Sequence, residues 1–296
     1  MTFKAPPGLT HALPYLALFG GMISLAVGTS FAKQLFPLVG AAGTSTLRVG
    51  LSALILLAIW RPWRFALSRS DGGRILLYGT VLGLMNLCFY MSLQTIPLGL
   101  AIAIEFAGPL TLALIHSRRP IHFAMIALAV AGLALLLPIW KGVEGLDPVG
   151  VFYAALAGVF WALYIICGKR LGHRHAGQSV ALGMTVAALV IAPFGIATAG
   201  ASLLAPEILA LGLVAAIVSS ALPYSLEMFA LKTVPQRTFG VVLSGEPAVG
   251  ALAGLIILHE QLSNLQWLAI GLIITASVGA ILTTRREAAA ENLSQP

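Results

Sequence analysis

Three carboxylic acids and one guanidinium stand inside apolar stretches of this chain: Glu105, Glu246, Glu227 and Arg48. An ionisable group at bilayer depth costs at least about 2.5 kcal/mol on insertion scales, so such groups face a cavity or a partner and mark the path of a solute or a proton. Glu105 and Glu246 each lie about two residues from the centre of their stretch, about 3 Å along a helix axis. Glu227 is shallower, about 11 Å from midplane; it either joins the same site or pairs with Lys232 or Arg237 at the span end. Arg48 is the only deep base and is expected to partner one of the acids. At least one acid then has no fixed cation and is able to exchange a proton, which is what proton coupling requires.

Prolines stand beside these charges. Pro109 has no N–H for the carbonyl of Glu105, Pro247 follows Glu246 and leaves the carbonyl of Leu243 free, and Pro223 does the same for Ser219. Interrupted helices are tolerated at membrane depth only where the backbone is buried in protein or lines a cavity. Polar side chains run along the neighbouring stretches: Gly79, Gly83, Asn86 and Tyr90 share one helical face, and Ser220, Tyr224 and Glu227 share another. Together they offer donors and acceptors suited to a small zwitterion. Tyr90 also has a reading as an interfacial ring. Lys33 and Lys169 close their stretches and are expected to reach the interface by snorkelling.

The elements that hold these groups are transmembrane helices. A helix needs about 20 mostly apolar residues to cross a bilayer, and the chain supplies ten such stretches. They run over 13–32, 41–60, 75–93, 98–116, 121–140, 149–168, 178–199, 208–231, 238–258 and 265–284. With 59% hydrophobic and 9% charged residues and a mean hydropathy of +0.96, a soluble core is excluded. The net charge of +7 is an orientation signal, since 14 of the 17 Lys and Arg residues fall in alternate loops or tails on one face. That distribution places both termini in the cytoplasm and argues against nucleic-acid binding; the bilayer is the expected partner. Cys88 and Cys167 both fall inside spans, which argues against a disulfide framework.

The chain repeats itself. Residues 91–97 align with 229–235 at an offset of 138, and Pro109 aligns with Pro247 at the same offset. Each half holds five spans, so the second enters from the opposite side. The expected fold is an all-α membrane protein of ten transmembrane helices in two inverted five-helix repeats: residues 1–140, a linker 141–148, residues 149–284, and a polar cytoplasmic tail 285–296 expected to be disordered. In that architecture the substrate site lies near midplane between the repeats. Gly79 with Gly83, and Gly250 with Gly254, make flat strips for close helix approach. There is no nucleotide loop, zinc motif or nucleophile elbow, so neither enzymatic chemistry nor a cofactor is expected.

These features resemble the drug/metabolite transporter superfamily, each half being similar to an EamA-type domain. The segments 31–40, 94–99, 105–109, 117–120, 221–228, 237–240 and 246–248 look specifically like its threonine/homoserine exporter branch. The resemblance implies a bacterial inner-membrane exporter of small neutral amino acids working by proton antiport, with a cavity shared by the third, fourth, eighth and ninth spans. Its substrate-binding candidates are Glu105, Glu246, Asn86, Tyr90, Ser220, Tyr224, Glu227 and Arg48. The alternatives are transport of another solute (a purine, sugar derivative or aromatic amino acid), a channel, or a membrane-embedded enzyme. The sequence leaves the oligomeric state open.

Overall fold

The computed structural model describes residues 7–64, 69–115, 120–136, 147–171, 176–231 and 242–293, and among the described residues every regular element is helical. In chain order these are α1 (Pro7–Lys33), α2 (Phe36–Trp60), α3 (Arg69–Ser92), α4 (Leu98–Glu105), α5 (Ala107–Ile115), α6 (Pro120–Leu136), α7 (Pro148–Leu171), α8 (Ala176–Ala199), α9 (Pro206–Ala216), α10 (Leu222–Leu231), α11 (Glu246–Ile257) and α12 (Asn264–Leu293). A π-helical turn, Ile217–Ala221, joins α9 to α10. Among the described residues six runs are long and apolar enough to cross a membrane: α1, α2, α3, α7, α8 and the continuous path from Pro206 to Glu227. Four shorter apolar helices lie at Leu98–Leu112, Phe123–Gly132, Glu246–Ile257 and Asn264–Ala276.

Burial is inverted relative to a water-soluble protein. Leu54, Leu189, Ile256 and Phe123 are 63%, 69%, 69% and 64% exposed, whereas Arg48, Glu105 and Glu246 are 3%, 7% and 6% exposed. A continuous apolar exterior around buried charges is stable only with lipid as the solvent.

Small residues set the packing. Helix α2 runs along α8, α3 lies against both α7 and α8, α6 packs on α12, α1 on α10 and α11, and α4 on α11. The α3 glycines serve as predicted: a Cβ on Gly83 would lie 2.9 Å from the carbonyl oxygen of Ala187, and one on Gly79 2.5 Å from that of Gly183, both on α8. Gly250 faces Ile102 of α4, and Gly254 faces Leu98 of α4 and the Glu260 carboxylate. The break between α4 and α5 rests on α7, where a Cβ on Gly158 would lie 2.6 Å from the carbonyl oxygen of Glu105. That oxygen is backbone and cannot swing away. Gly158→Ala is therefore expected to destabilise by about 1–3 kcal/mol through overpacking, outweighing the gain in helix propensity of about 1 kcal/mol. Gly50→Ala, with nothing within 4 Å of the added Cβ, is expected to be neutral or stabilising. Thermal melting of the two variants in detergent checks the contrast, and similar shifts would refute the close-approach argument.

The structure departs from the sequence expectation at two ends. The segment after Thr284 continues α12 to Leu293, because Glu287, the run of alanines from 288 to 290 and Glu291 are strong helix formers. The stretch expected at 41–60 is preceded by one more turn starting at Phe36, with Gly40 at φ +69 forming the kink between them. Most of the linker at 141–148 lies outside the described residues.

Candidate functional site

The fourth stretch is not continuous. Helix α4 ends at Glu105 and α5 restarts at Ala107, because Pro109 cannot donate to the Glu105 carbonyl. The ninth is broken as well: Ser244 and Gly245 form a turn, and Glu246 with Pro247 opens α11. Proline suits that place, since the first N–H groups of a helix have no intrahelical partner. The two acids therefore sit at opposite kinds of helix end, Glu105 at the carbonyl-rich end of α4 and Glu246 at the amide-rich end of α11. Glu105 is within electrostatic reach of both Glu246 and Arg48. One oxygen of Glu246, Oε2, is buried without a hydrogen-bond partner among the described residues.

Arg48 corrects the sequence expectation. Among the described residues it pairs with no acid. Its Nη1 donates to the carbonyl of Ser219 at 3.0 Å, its Nη2 donates to Asn86 Oδ1, and its guanidinium lies 4.8 Å from the centre of the Tyr90 ring. The reason is local geometry. Pro223 leaves the Ser219 carbonyl free, as its position predicts, and the π turn before it aims a series of carbonyls out of the helix. Ser52 Oγ of α2 lies 3.2 Å from the carbonyl oxygen of Ala216, Ser24 of α1 donates to the carbonyl of Val218 at 2.6 Å, and Arg48 donates to that of Ser219. Helix α1 comes this close because Gly28 has no side chain; a Cβ there would lie 2.5 Å from the Ser219 amide nitrogen. Ser24, Gly28 and Ser52 were not singled out from the sequence.

Tyr90 is not an interfacial ring. It is fully buried, in ring contact with Phe36 and Phe89 at 6.0 Å each. Asn86 is held by its own helix through Nδ2 to the Leu82 carbonyl at 2.8 Å. Ser220 is buried and its hydroxyl has no partner among the described residues, and Tyr224 and Glu227 are half-buried on α10. Tyr224 lies within electrostatic reach of Arg48, Glu105 and Glu227, while Arg48 directly contacts Asn86, Tyr90 and Ser219, the neighbour of Ser220. The alternative partners of Glu227, Lys232 and Arg237, lie outside the described residues. Tyr78 and Tyr164, with hydroxyls 3.2 Å apart, extend the polar region between α3 and α7. Tyr164 escaped notice although it stands one turn from Trp161, which packs edge-on against Phe106 at 5.6 Å.

Lys33 also departs from expectation. It does not snorkel alone but forms an ion pair with Glu260 at 2.6 Å, the side chains being 22% and 13% exposed. Glu260 Oε2 accepts a second hydrogen bond, at 2.8 Å, from the N–H of Leu98 at the start of α4. That N–H needs an outside acceptor because the preceding residue, Pro97, has no side-chain cap. One carboxylate thus ties α1, α4 and the turn between α11 and α12 together. His259, in the left-handed region at φ +56, shapes that turn.

A lipid-embedded bundle that buries unpaired charges beside interrupted helices is built as a secondary transporter is built. Comparison with known proteins agrees. The EamA-like transporter family matches residues 148–282. The threonine/homoserine exporter RhtA of Escherichia coli strain K12 is 48% identical over 281 residues, covering 95% of each chain. RhtA of Salmonella typhimurium strain LT2 is 48% identical over 285 residues, covering 95% of this chain and 97% of its own. A crystal structure of a protein only 22% identical matches the fold with a TM-score of 0.61, covering 91% of this chain and 97% of the other. The chain belongs to the EamA-like transporter family, in the branch formed by these RhtA relatives. It is a membrane transporter of small molecules and not an enzyme.

Proposed function

We propose that this protein exports small neutral amino acids, threonine and homoserine among them, across the bacterial inner membrane by alternating access coupled to proton antiport. In this reading ten helices form two inverted five-helix repeats, residues 1–140 and 149–284, joined by the linker 141–148, with both termini cytoplasmic. The observation that carries the reading is a pair of buried acids, Glu105 and Glu246, each at a helix break, in a chain 48% identical to threonine/homoserine exporters. The ammonium group of the cargo meets Glu105 or Glu246. Asn86, Tyr90, Ser220, Tyr224, Glu227 and Arg48 complete the site. A proton arriving from the outer face competes for the same carboxyl, so cargo leaves as the proton enters.

Helix ends divide the labour between the two acids. The partial negative charge at the end of α4 adds to Glu105 as a receiver of cations, whereas the partial positive end of α11 already partners Glu246. Counterflow in proteoliposomes with a panel of labelled solutes tests the reading. Threonine and homoserine are expected to exchange with saturation and trans-stimulation, while a purine and a sugar phosphate are not. Exchange restricted to another solute class would replace the cargo, and flux that neither saturates nor trans-stimulates would make the protein a channel.

A further inference from the structure

The export reading assigns the ammonium end of the cargo to acids but gives the buried Arg48 no specific role, and among the described residues no acid bonds it directly. Its bonded acceptors, the carbonyl and hydroxyl oxygens of Ser219 and the amide oxygen of Asn86, are all neutral, and its Nε has no partner among the described residues. Three hydroxyls around it share that condition: Ser45 Oγ, Ser220 Oγ and Tyr90 Oη. Ser45 is one helical turn from Arg48, Ser220 follows the residue whose carbonyl Arg48 takes, and the Tyr90 ring lies beneath the guanidinium.

Elsewhere in the bundle, buried hydroxyls satisfy themselves by donating to the carbonyl four residues back. Ser30 bonds Ala26, Ser52 bonds Arg48 and Ser219 bonds Ala215, at 2.9, 2.6 and 2.6 Å. Ser220 Oγ makes no such bond to the carbonyl of Ala216 four residues back. Four unpaired donors on and around a buried cation that no acid bonds directly call for a ligand that accepts hydrogen bonds and carries negative charge. A carboxylate does both, and a guanidinium edge engages it with two parallel N–H groups.

We infer that Arg48 is the carboxylate receptor of this transporter: it binds the α-carboxylate of the cargo, with Tyr90, Ser45 and Ser220 supplying further donors. The inference rests on the export reading and adds a selectivity to it. Glu105, within electrostatic reach of Arg48, takes the ammonium end, so the site admits molecules carrying both charges. Amides, esters and amino alcohols of the same side chain lack the charge that Arg48 requires and are discriminated against.

The test uses the full-length protein in proteoliposomes, with L-threonine and L-threoninamide competing against labelled threonine. The wild type is expected to prefer the acid over the amide by about 10- to 100-fold, the range of a charge-assisted hydrogen-bonded pair. In Arg48→Gln the preference collapses towards unity, because threonine weakens while the amide scarcely changes. Arg48→Lys retains part of it, as a single ammonium replaces a fork. Tyr90→Phe keeps the ring beneath Arg48 and removes one donor, so it is expected to weaken threonine and leave the amide unaffected even if the Gln variant fails to fold. Equal weakening of acid and amide by these variants, or an acid preference that survives them, would make Arg48 a structural tie and overturn the inference. If the wild type carries no neutral amino acid, the export reading falls first and this one with it.

Discussion

Glu105→Gln and Glu246→Gln are each expected to abolish proton-driven efflux of amino acid, measured as uptake into inverted vesicles. An amide is nearly isosteric with a carboxyl group, so it keeps the packing of these 7% and 6% exposed side chains while removing the exchangeable proton. Coupling fails completely, because an amide neither gains nor loses a proton in this range. Cargo affinity also falls, since a hydrogen bond to a charged partner is worth about 1.5–3 kcal/mol, or about 10- to 100-fold in apparent Kd. The two variants separate in stability. Glu246 sits in the first turn of α11, where a negative charge gains about 0.3–1 kcal/mol from the helix end, so Glu246→Gln is expected to melt slightly earlier. Glu105, at the last residue of α4, has no such contribution to lose. The measurements are efflux driven by an imposed pH gradient and, separately, exchange without one. Undiminished gradient-driven efflux in both variants would remove these acids from the mechanism.

How far the sequence led depended on whether a feature was local. Helix breaks were legible because proline acts on the carbonyl four residues behind it, a relation contained within one turn: Pro109 located the α4–α5 break at Glu105, and Pro223 identified the Ser219 carbonyl as free. The recipient of that carbonyl was not legible. Arg48 stands 171 residues away, and charge bookkeeping favoured an acid as its partner. The π turn offered it a carbonyl instead, and the packing of Asn86 and Tyr90 completed its surroundings. The stripe Gly79, Gly83, Asn86 and Tyr90 holds two features, a glycine strip for helix packing and a polar end. It rises about 16 Å along α3, enough to meet two neighbours, so its glycines pack on α8 while its polar end surrounds Arg48. Glu260 carried no signal at all. It lies in a turn between helices, where an acid reads as solvent-facing, and its partners Lys33 and Leu98 are 227 and 162 residues away.

That turn carries the second large effect. Lys33 and Glu260 form a partly shielded ion pair, and the same carboxylate caps α4 through Leu98, so the two partners are not equivalent. Lys33→Ala removes one charge and leaves the cap. Glu260→Ala removes the charge partner and the acceptor of a helix-end N–H together, and loss of such a cap alone costs about 0.5–2 kcal/mol. Glu260→Ala is therefore expected to destabilise more than Lys33→Ala, and the double variant no more than Glu260→Ala by itself. Exchanging the charges, Lys33→Glu with Glu260→Lys, is expected to restore the pair but not the cap, because an ammonium group only donates. Alternating access adds a kinetic consequence. A contact that joins α1, α4 and the α11–α12 turn at one membrane face must open whenever the site opens to that face. Lys33→Cys with Glu260→Cys, in a background where Cys88 and Cys167 are replaced, gives a pair of thiols for a short bifunctional cross-linker. Cross-linking is expected to stop net efflux, with recovery when a cleavable linker is reduced. Full turnover in the cross-linked state would mean that these elements stay together throughout the cycle and that the moving seam lies elsewhere in the bundle.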